Sequence, residues 1–273
     1  MPDKVNHENA AWLGLANKVC VVTGGGSGIG AETARRLAAM GALLAVLDLN
    51  QAAAASIAAD IVSAGGKAIG IGADVSSPQA IHAAAAEVKL KLGLCDVLVN
   101  NAGVQYQATL LDADLEKWNQ TLMVNLTGPL ICVQAFARHM IESERGGSIV
   151  NVGSICGTRP RPNGGAYSAS KAGLDMLSKQ MMLELAEYGI RSNLVAPGLI
   201  RTPISEKSYQ NPEIARKRKA MIPSDRIGAS EDVANMIIFL ASERSSYVNG
   251  QTILVDGGLS ETIMSLLHRP SPP

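Results

Sequence analysis

Residues 18–30 read KVCVVTGGGSGIG, and their interpretation decides the fold. A short run rich in valine passes straight into a glycine-rich loop, Thr23–Gly30, and a helical pattern begins at once. Glycines at positions 24, 28 and 30 let the backbone turn tightly and approach a pyrophosphate closely. The helix that follows presents unpaired N–H groups and a positive dipole end to such an anion. The strict GxGxxG spacing is absent; the pattern is T-G-x-x-x-G-x-G. A plain strand-to-helix turn would use the same residues, so the loop needs its context. Asp48 supplies it, closing the next apolar run twenty residues beyond Gly28, where a carboxylate binds a ribose diol. Asp48 could also cap the helix that follows.

Working outward, strand-like runs fall at 18–23, 43–48, 67–73, 96–100, 148–152, 191–195 and 252–255. Helical patterns occupy 31–40, 51–64, 78–92, 114–141 and 166–188, with another from Ser230 to about 242. Strands that are continuously apolar, rather than alternating, imply a sheet covered on both faces. Strand–helix–strand alternation implies parallel pairing through right-handed crossovers. The expected architecture is one α/β domain: a Rossmann-like, doubly wound, seven-stranded parallel sheet flanked by helices. Its expected limits are 16–260, with an extension at 1–15 and a tail at 261–273.

Composition narrows the function. The chain has 273 residues, 24 basic and 24 acidic, so it carries no electrostatic footprint for nucleic acid or an anionic membrane. No apolar run approaches the roughly 18 residues a membrane-spanning helix needs. The first residues, MPDKVNHENAAWLGLANK, are polar where a signal peptide would be apolar. Cys20, Cys95, Cys132 and Cys156 are widely spaced and show no metal-binding pattern, as expected of reduced thiols in a cytoplasmic protein. His7, His82, His139 and His268 fit no motif and are expected at the surface.

A second cluster carries chemistry. Tyr167 and Lys171 stand at i and i+4, on one face of a helix. Ser154 ends the fifth strand thirteen residues before Tyr167, at the edge of the sheet where ligands bind in such folds. A free tyrosine is a poor base at neutral pH. A neighbouring ammonium favours its phenolate. Ser154 can hold a substrate oxygen while Tyr167 exchanges its proton, and a nicotinamide carries the hydride. Asp48 would repel a 2′-phosphate, and no Arg or Lys lies in the loop or directly after it, so NAD is expected over NADP.

These motifs resemble the short-chain dehydrogenase/reductase family, in its single-domain form, over nearly all of 18–259. The resemblance implies a cofactor site at Gly24, Ser27, Gly28, Ile29 and Gly30, with Asp48 and Leu49 beyond the second strand. Asp74 and Val75 match the pair that contacts adenine. The NNAG segment at 100–103 places Asn101, Ala102 and Gly103 near the adenosine ribose, while Asn100 reads better as a bridge between strands. Pro197, Gly198, Ile200 and Thr202 match the segment facing the carboxamide. Asn125, in VNLTG, matches the catalytic asparagine of a proton relay through water to the lysine. Ser154, Tyr167 and Lys171 match the catalytic triad, with Tyr167 and Lys171 also at the nicotinamide ribose. Plainer roles stay open for some: Asp74 could cap the helix near Pro78, and Thr202 could be a turn residue.

The function expected is NAD-dependent interconversion of a secondary alcohol and its ketone. Alternatives are a ketone reductase resembling the 3-oxoacyl carrier-protein reductases and a nucleotide-sensing protein without catalysis. Specificity should come from 155–159 and 203–223. The latter holds the basic run EIARKRKAM, either a solvated helix face or a site where Arg216, Arg218 or Lys219 attracts an anionic substrate. Leu174, Leu177, Met181 and Leu185 form one helical face, and Met176, Met182 and Leu183 add apolar surface elsewhere. A helix apolar on two sides is usually buried on two sides, so a homodimer or homotetramer is expected.

Overall fold

The computed structural model describes residues 12–203 and 205–266. Seven strands form one parallel sheet in the order β3-β2-β1-β4-β5-β6-β9. They are β1 (Val19–Thr23), β2 (Leu43–Asp48), β3 (Lys67–Gly72), β4 (Val97–Asn100), β5 (Gly147–Val152), β6 (Ile190–Pro197) and β9 (Thr252–Val255). A short parallel pair, β7 (Ile200–Arg201) and β8 (Gly228–Ala229), stands apart. The expected sheet is therefore present, and each strand lies within a residue or two of its predicted limits.

Burial on both faces explains why the strands read as continuous apolar runs. Cys20 and Val22 of β1 pack on one face with Leu44 and Val46 of β2. Val19 and Val21 pack on the other with Ala45 and Leu47. Helices α1 (Gly28–Ala39), α2 (Gln51–Ser63) and α9 (Ser230–Ala241) cover the first face through Leu37, Ile57, Ile61 and Ile237. Helices α3 (Pro78–Lys91), α5 (Gly128–Ser143) and α6 (Gly165–Leu185) cover the second through Ile81, Val88, Phe136, Met140 and Met181. Leu15 is buried in the first of these cores, although the sequence assigned it to an extension. Two short helices, α7 (Glu206–Tyr209) and α8 (Pro212–Ala220), follow β7.

Three expectations need correction. The helical pattern at 114–141 is two helices, α4 (Leu115–Leu122) and α5, joined by a π turn at Met123–Thr127. There the Gly128 N–H reaches back five residues to the Met123 carbonyl, and Pro129 has no N–H to contribute. His139 is buried, packed edge-on against Phe136 one turn earlier on α5. Burial holds its imidazole below the usual histidine range. His82 is exposed, and His7 and His268 lie outside the described residues. Finally, neither aspartate caps a helix: Asn50 caps α2 and Ser77 caps α3.

The order of strands positions the site. Successive connections run outward from β1 to β2 and β3, then return to β4, β5 and β6 on the other side. The helices after β1 and β4 therefore diverge, leaving a crevice at the carboxyl ends of the central strands.

Candidate active site

The crevice opens into a cavity of about 680 Å³ at the strand ends, a size suited to a cofactor and a small ligand. The glycine loop forms one wall. Gly24 and Gly28 take φ of 61° and 54°, the left-handed region that favours glycine. At Gly30 any side chain would collide with the Gly24 carbonyl and the Asn101 amide. The Asn101 amide donates to the Thr23 and Gly24 carbonyls, at 2.9 and 3.0 Å, and so ties the loop to β4. Ser27 opens α1 without a side-chain cap bond, so that group does not occupy the first-turn N–H groups beside the cavity. This cradle fits a pyrophosphate: it is glycine-lined, closely approachable and ends on a free helix N-terminus.

Asp48 and Asp74 line the same end. Asp48 accepts from the Gly26 N–H and the Asn50 N–H, both at 2.9 Å, so it braces the loop as well as facing the cavity. Asp74 accepts from the Ser76 N–H and hydroxyl. Leu49, Val75, Ala102, Gly103, Pro197, Gly198, Ile200 and Thr202 complete the expected lining. Asn100 does bridge strands, donating to Asn151 at 2.9 Å. Of the predicted site residues, Gly30 and Asn125 alone stand behind the lining.

Ser154, Tyr167 and Lys171 meet at the other end. Ser154 leaves β5 and accepts a bond from the Cys156 N–H at 3.1 Å, which leaves its own O–H to donate. Lys171 is only 5% exposed and donates to the Val152 carbonyl at 2.8 Å. Its ammonium lies 5.8 Å from the centre of the Tyr167 ring. Burial lowers the Lys171 pKa to about 8. The expectation for Tyr167 is not met: its phenol is held above the ordinary value. Burial dominates there, with Cys156 pushing the same way, opposed by hydrogen bonds from Ser154 and Gln105 and by the charge of Arg161.

Asn125 sits in the π turn and is fully buried. Its side chain accepts from the Val104 N–H at 2.8 Å and donates to the Val104 carbonyl at 2.9 Å and to Ser170 at 3.1 Å. All the polar capacity of the amide that faces protein is engaged in holding the segment after β4 against α6. The lining also holds residues the sequence did not single out, among them Gln105, Arg161 and Tyr209. These three lie in irregular segments or a four-residue helix, where no periodicity marks which side chains turn inward.

Comparison with known proteins decides the family. Residues 24–260 match the family model described as enoyl-(acyl carrier protein) reductase. A 3-oxoacyl-[acyl-carrier-protein] reductase of Thermotoga maritima is 41% identical over 90% of this chain and 98% of that protein. A 3beta-hydroxysteroid dehydrogenase of Eggerthella lenta is 37% identical over 90% of this chain and 95% of its own length. The chain belongs to the short-chain dehydrogenase/reductase family. Among solved structures, a gluconate 5-dehydrogenase of Burkholderia cenocepacia, in complex with NADP and tartrate, superposes with a TM-score of 0.87. It is 35% identical and covers 91% of this chain and 97% of that one. As a short-chain dehydrogenase/reductase, this chain is an oxidoreductase that works with a nicotinamide dinucleotide. The cradle described above is the part of the fold that fits such a cofactor. No helix among the described residues is long and apolar enough to cross a membrane.

Proposed function

We propose that the chain interconverts a secondary alcohol and its ketone and prefers NAD. One observation carries this reading: Ser154, Tyr167 and Lys171 converge at one end of a cavity whose other end is the glycine cradle. A bound nicotinamide supplies the hydride acceptor or donor. The protein's own residues handle the proton. The Ser154 hydroxyl, hydrogen-bonded to Tyr167 in this structure, donates to the substrate oxygen and fixes its position. Tyr167 as the phenol gives its proton to a ketone oxygen during reduction, and as the phenolate takes the alcohol proton during oxidation. Lys171 stands behind it as a buried cation anchored on Val152, and by the family resemblance would hold the nicotinamide ribose. Asn125 acts as a positioning residue through Val104.

The preference for NAD rests on Asp48. Its carboxylate faces the cavity, and the cations lining that cavity, Arg161, Lys171 and Arg218, belong to other segments. Arg35 and Arg36 of α1 are paired with Asp60, Glu32 and Glu231. No cation of the described lining therefore stands beside Asp48 to receive a 2′-phosphate. A second reading, a 3-oxoacyl thioester reductase, is favoured by the 41% identity to such an enzyme. The free state of all four cysteines suits a cytoplasmic setting.

The test is nicotinamide absorbance during turnover, over polyols, hydroxy acids, steroid alcohols and a 3-oxoacyl thioester, with NAD and with NADP. Tyr167→Phe should lower kcat by about 10²-fold or more while cofactor affinity stays within a few-fold. Turnover that survives the substitution would remove Tyr167 from the chemistry and the reading with it.

A further inference from the structure

Two arginines in the cavity have no role in the chemistry so far. Arg161 lies between β5 and α6, Arg218 lies on α8, and both are half-buried in the cavity wall. Apart from the exposed Arg216, the cations around them are paired. Arg159 pairs with Glu261, Arg201 with Glu206, Lys217 with Glu213 and Lys219 with Asp225. Arg161 and Arg218 have no carboxylate partner among the described residues. Each guanidinium lies over an aromatic ring instead, 5.7 Å from the centre of Tyr167 and 5.1 Å from that of Tyr209. Stacking of this kind leaves the N–H edge of the fork available. The acids of the lining, Asp48 and Asp74, sit at the glycine-loop end and are bonded to backbone N–H groups.

A second, independent observation falls on Tyr209. It is 6% exposed, lines the same cavity, and its buried hydroxyl has no hydrogen-bond partner among the described residues. A buried hydroxyl left unpaired is costly, and native structures satisfy nearly all of them. The Tyr209 hydroxyl is thus a donor without a partner among the described residues, on the ring over which the Arg218 guanidinium lies.

Resting on the dehydrogenase reading of this cavity, we propose that the substrate carries an oxyanion group, a carboxylate or a phosphate, bound by Arg161, Arg218 and the Tyr209 hydroxyl. Guanidinium forks match both groups bidentately. Arg161 lies over the ring of Tyr167, so the charged group is only a few bonds from the reacting carbon. The substrate class is a small hydroxy acid or hydroxyalkyl phosphate, rather than a steroid or a long neutral chain. Of the three basic residues flagged in the sequence, Arg218 alone meets the cavity; Arg216 is exposed and Lys219 is paired.

Calorimetric titration of the NADH-loaded protein, which cannot oxidise an alcohol, tests this with matched probes: threonate against threitol, and glycerol 3-phosphate against glycerol. At least one anion should bind at least tenfold more tightly than its neutral counterpart. Preference for threonate assigns a carboxylate, and preference for glycerol 3-phosphate assigns a phosphate. That ratio should collapse towards one in Arg161→Gln and Arg218→Gln and fall severalfold in Tyr209→Phe, with melting curves checking each fold. Wild-type protein that prefers neither anion overturns the proposal, as does a preference that survives both arginine substitutions. Equal weakening of an anion and its neutral counterpart in Arg161→Gln overturns it too, by confining that arginine to support of the Tyr167 ring. Because binding is read without turnover, the outcome is separable from the Tyr167→Phe result: loss of the anion preference leaves the alcohol–ketone chemistry standing, and the reverse holds equally.

Discussion

Asp48 does two jobs with one carboxylate. It fastens the glycine loop through the Gly26 N–H and faces the cavity where a ribose diol would sit. Asp48→Asn removes the charge and keeps an oxygen that can still accept from one of its two N–H partners. The Kd for NADP relative to NAD should therefore fall by about tenfold, or ~1.4 kcal/mol, read by cofactor titration. An unchanged ratio would mean that Asp48 braces the loop without selecting the cofactor. Lys171 makes a different kind of prediction. Its pKa falls from the usual lysine range to about 8 because the ammonium is buried. Between about 8 and 10.5 the unfolded chain binds more protons than the folded one, so stability rises with pH across that window. Below it the full penalty applies, on the order of 3 kcal/mol. Replacing the residue, as in Lys171→Met, removes that dependence along with activity. The stability of the variant minus that of the wild type should accordingly shrink by roughly 2 kcal/mol between pH 7 and pH 10, followed by chemical denaturation. A difference independent of pH would show that the ammonium carries no burial penalty.

At the scale of elements, the π turn at Met123–Thr127 matters most. It brings Asn125 to the backbone of Val104 while α4 and α5 keep their packing. Asn125→Ala would leave both backbone polar groups of Val104 and one bond of Ser170 without their partner. The expected cost is about 3 kcal/mol, measured by urea denaturation, with kcat falling as the segment carrying Gly103 and Gln105 loosens. A loss under 1 kcal/mol would show that water replaces the amide. The sequence could not reveal this turn, because one extra residue in a helical register leaves the apolar composition of 114–141 intact. The same limit explains the caps. Asp48 and Asp74 looked like caps by residue type, yet Asn50 and Ser77 take those positions two or three residues later. The sheet, by contrast, was legible strand by strand, since burial on both faces forces uninterrupted apolar runs such as LLAVLD in β2. The site divided in the same way. Asp48, Ser154, Tyr167 and Lys171 were readable from spacing, whereas the other strand-end residues came only from the family resemblance. Arg161 and Tyr209 were not readable, because irregular chain sets their direction.

At the scale of the whole molecule, the open question is what covers the apolar surface near the site. Met176 and Leu183 lie seven residues apart on one face of α6 and are 64% and 69% exposed. Leu110, Leu111 and Leu115 are also exposed, and Leu110 packs beside Gly165 at the start of the same helix. Single exposed leucines are ordinary, but two large apolar side chains repeated along one face of a helix packed on its other side mark an association surface. The opposite face of α6 is already used, since Leu174 and Met181 are buried against the sheet. Association through the exposed face would clamp the helix that carries Tyr167 and Lys171 from both sides, so assembly and catalytic geometry should be coupled. Sedimentation at micromolar concentration is expected to give a homodimer or homotetramer. Met176→Glu combined with Leu183→Glu should shift the protein towards monomer by placing charge in a desolvated contact. The melting temperature should fall with it, because subunits that bind only in the folded state stabilise that state by mass action. A wild-type monomer at that concentration, or a double variant that assembles unchanged, would assign the apolar stripe to some other contact and leave α6 supported by the sheet alone.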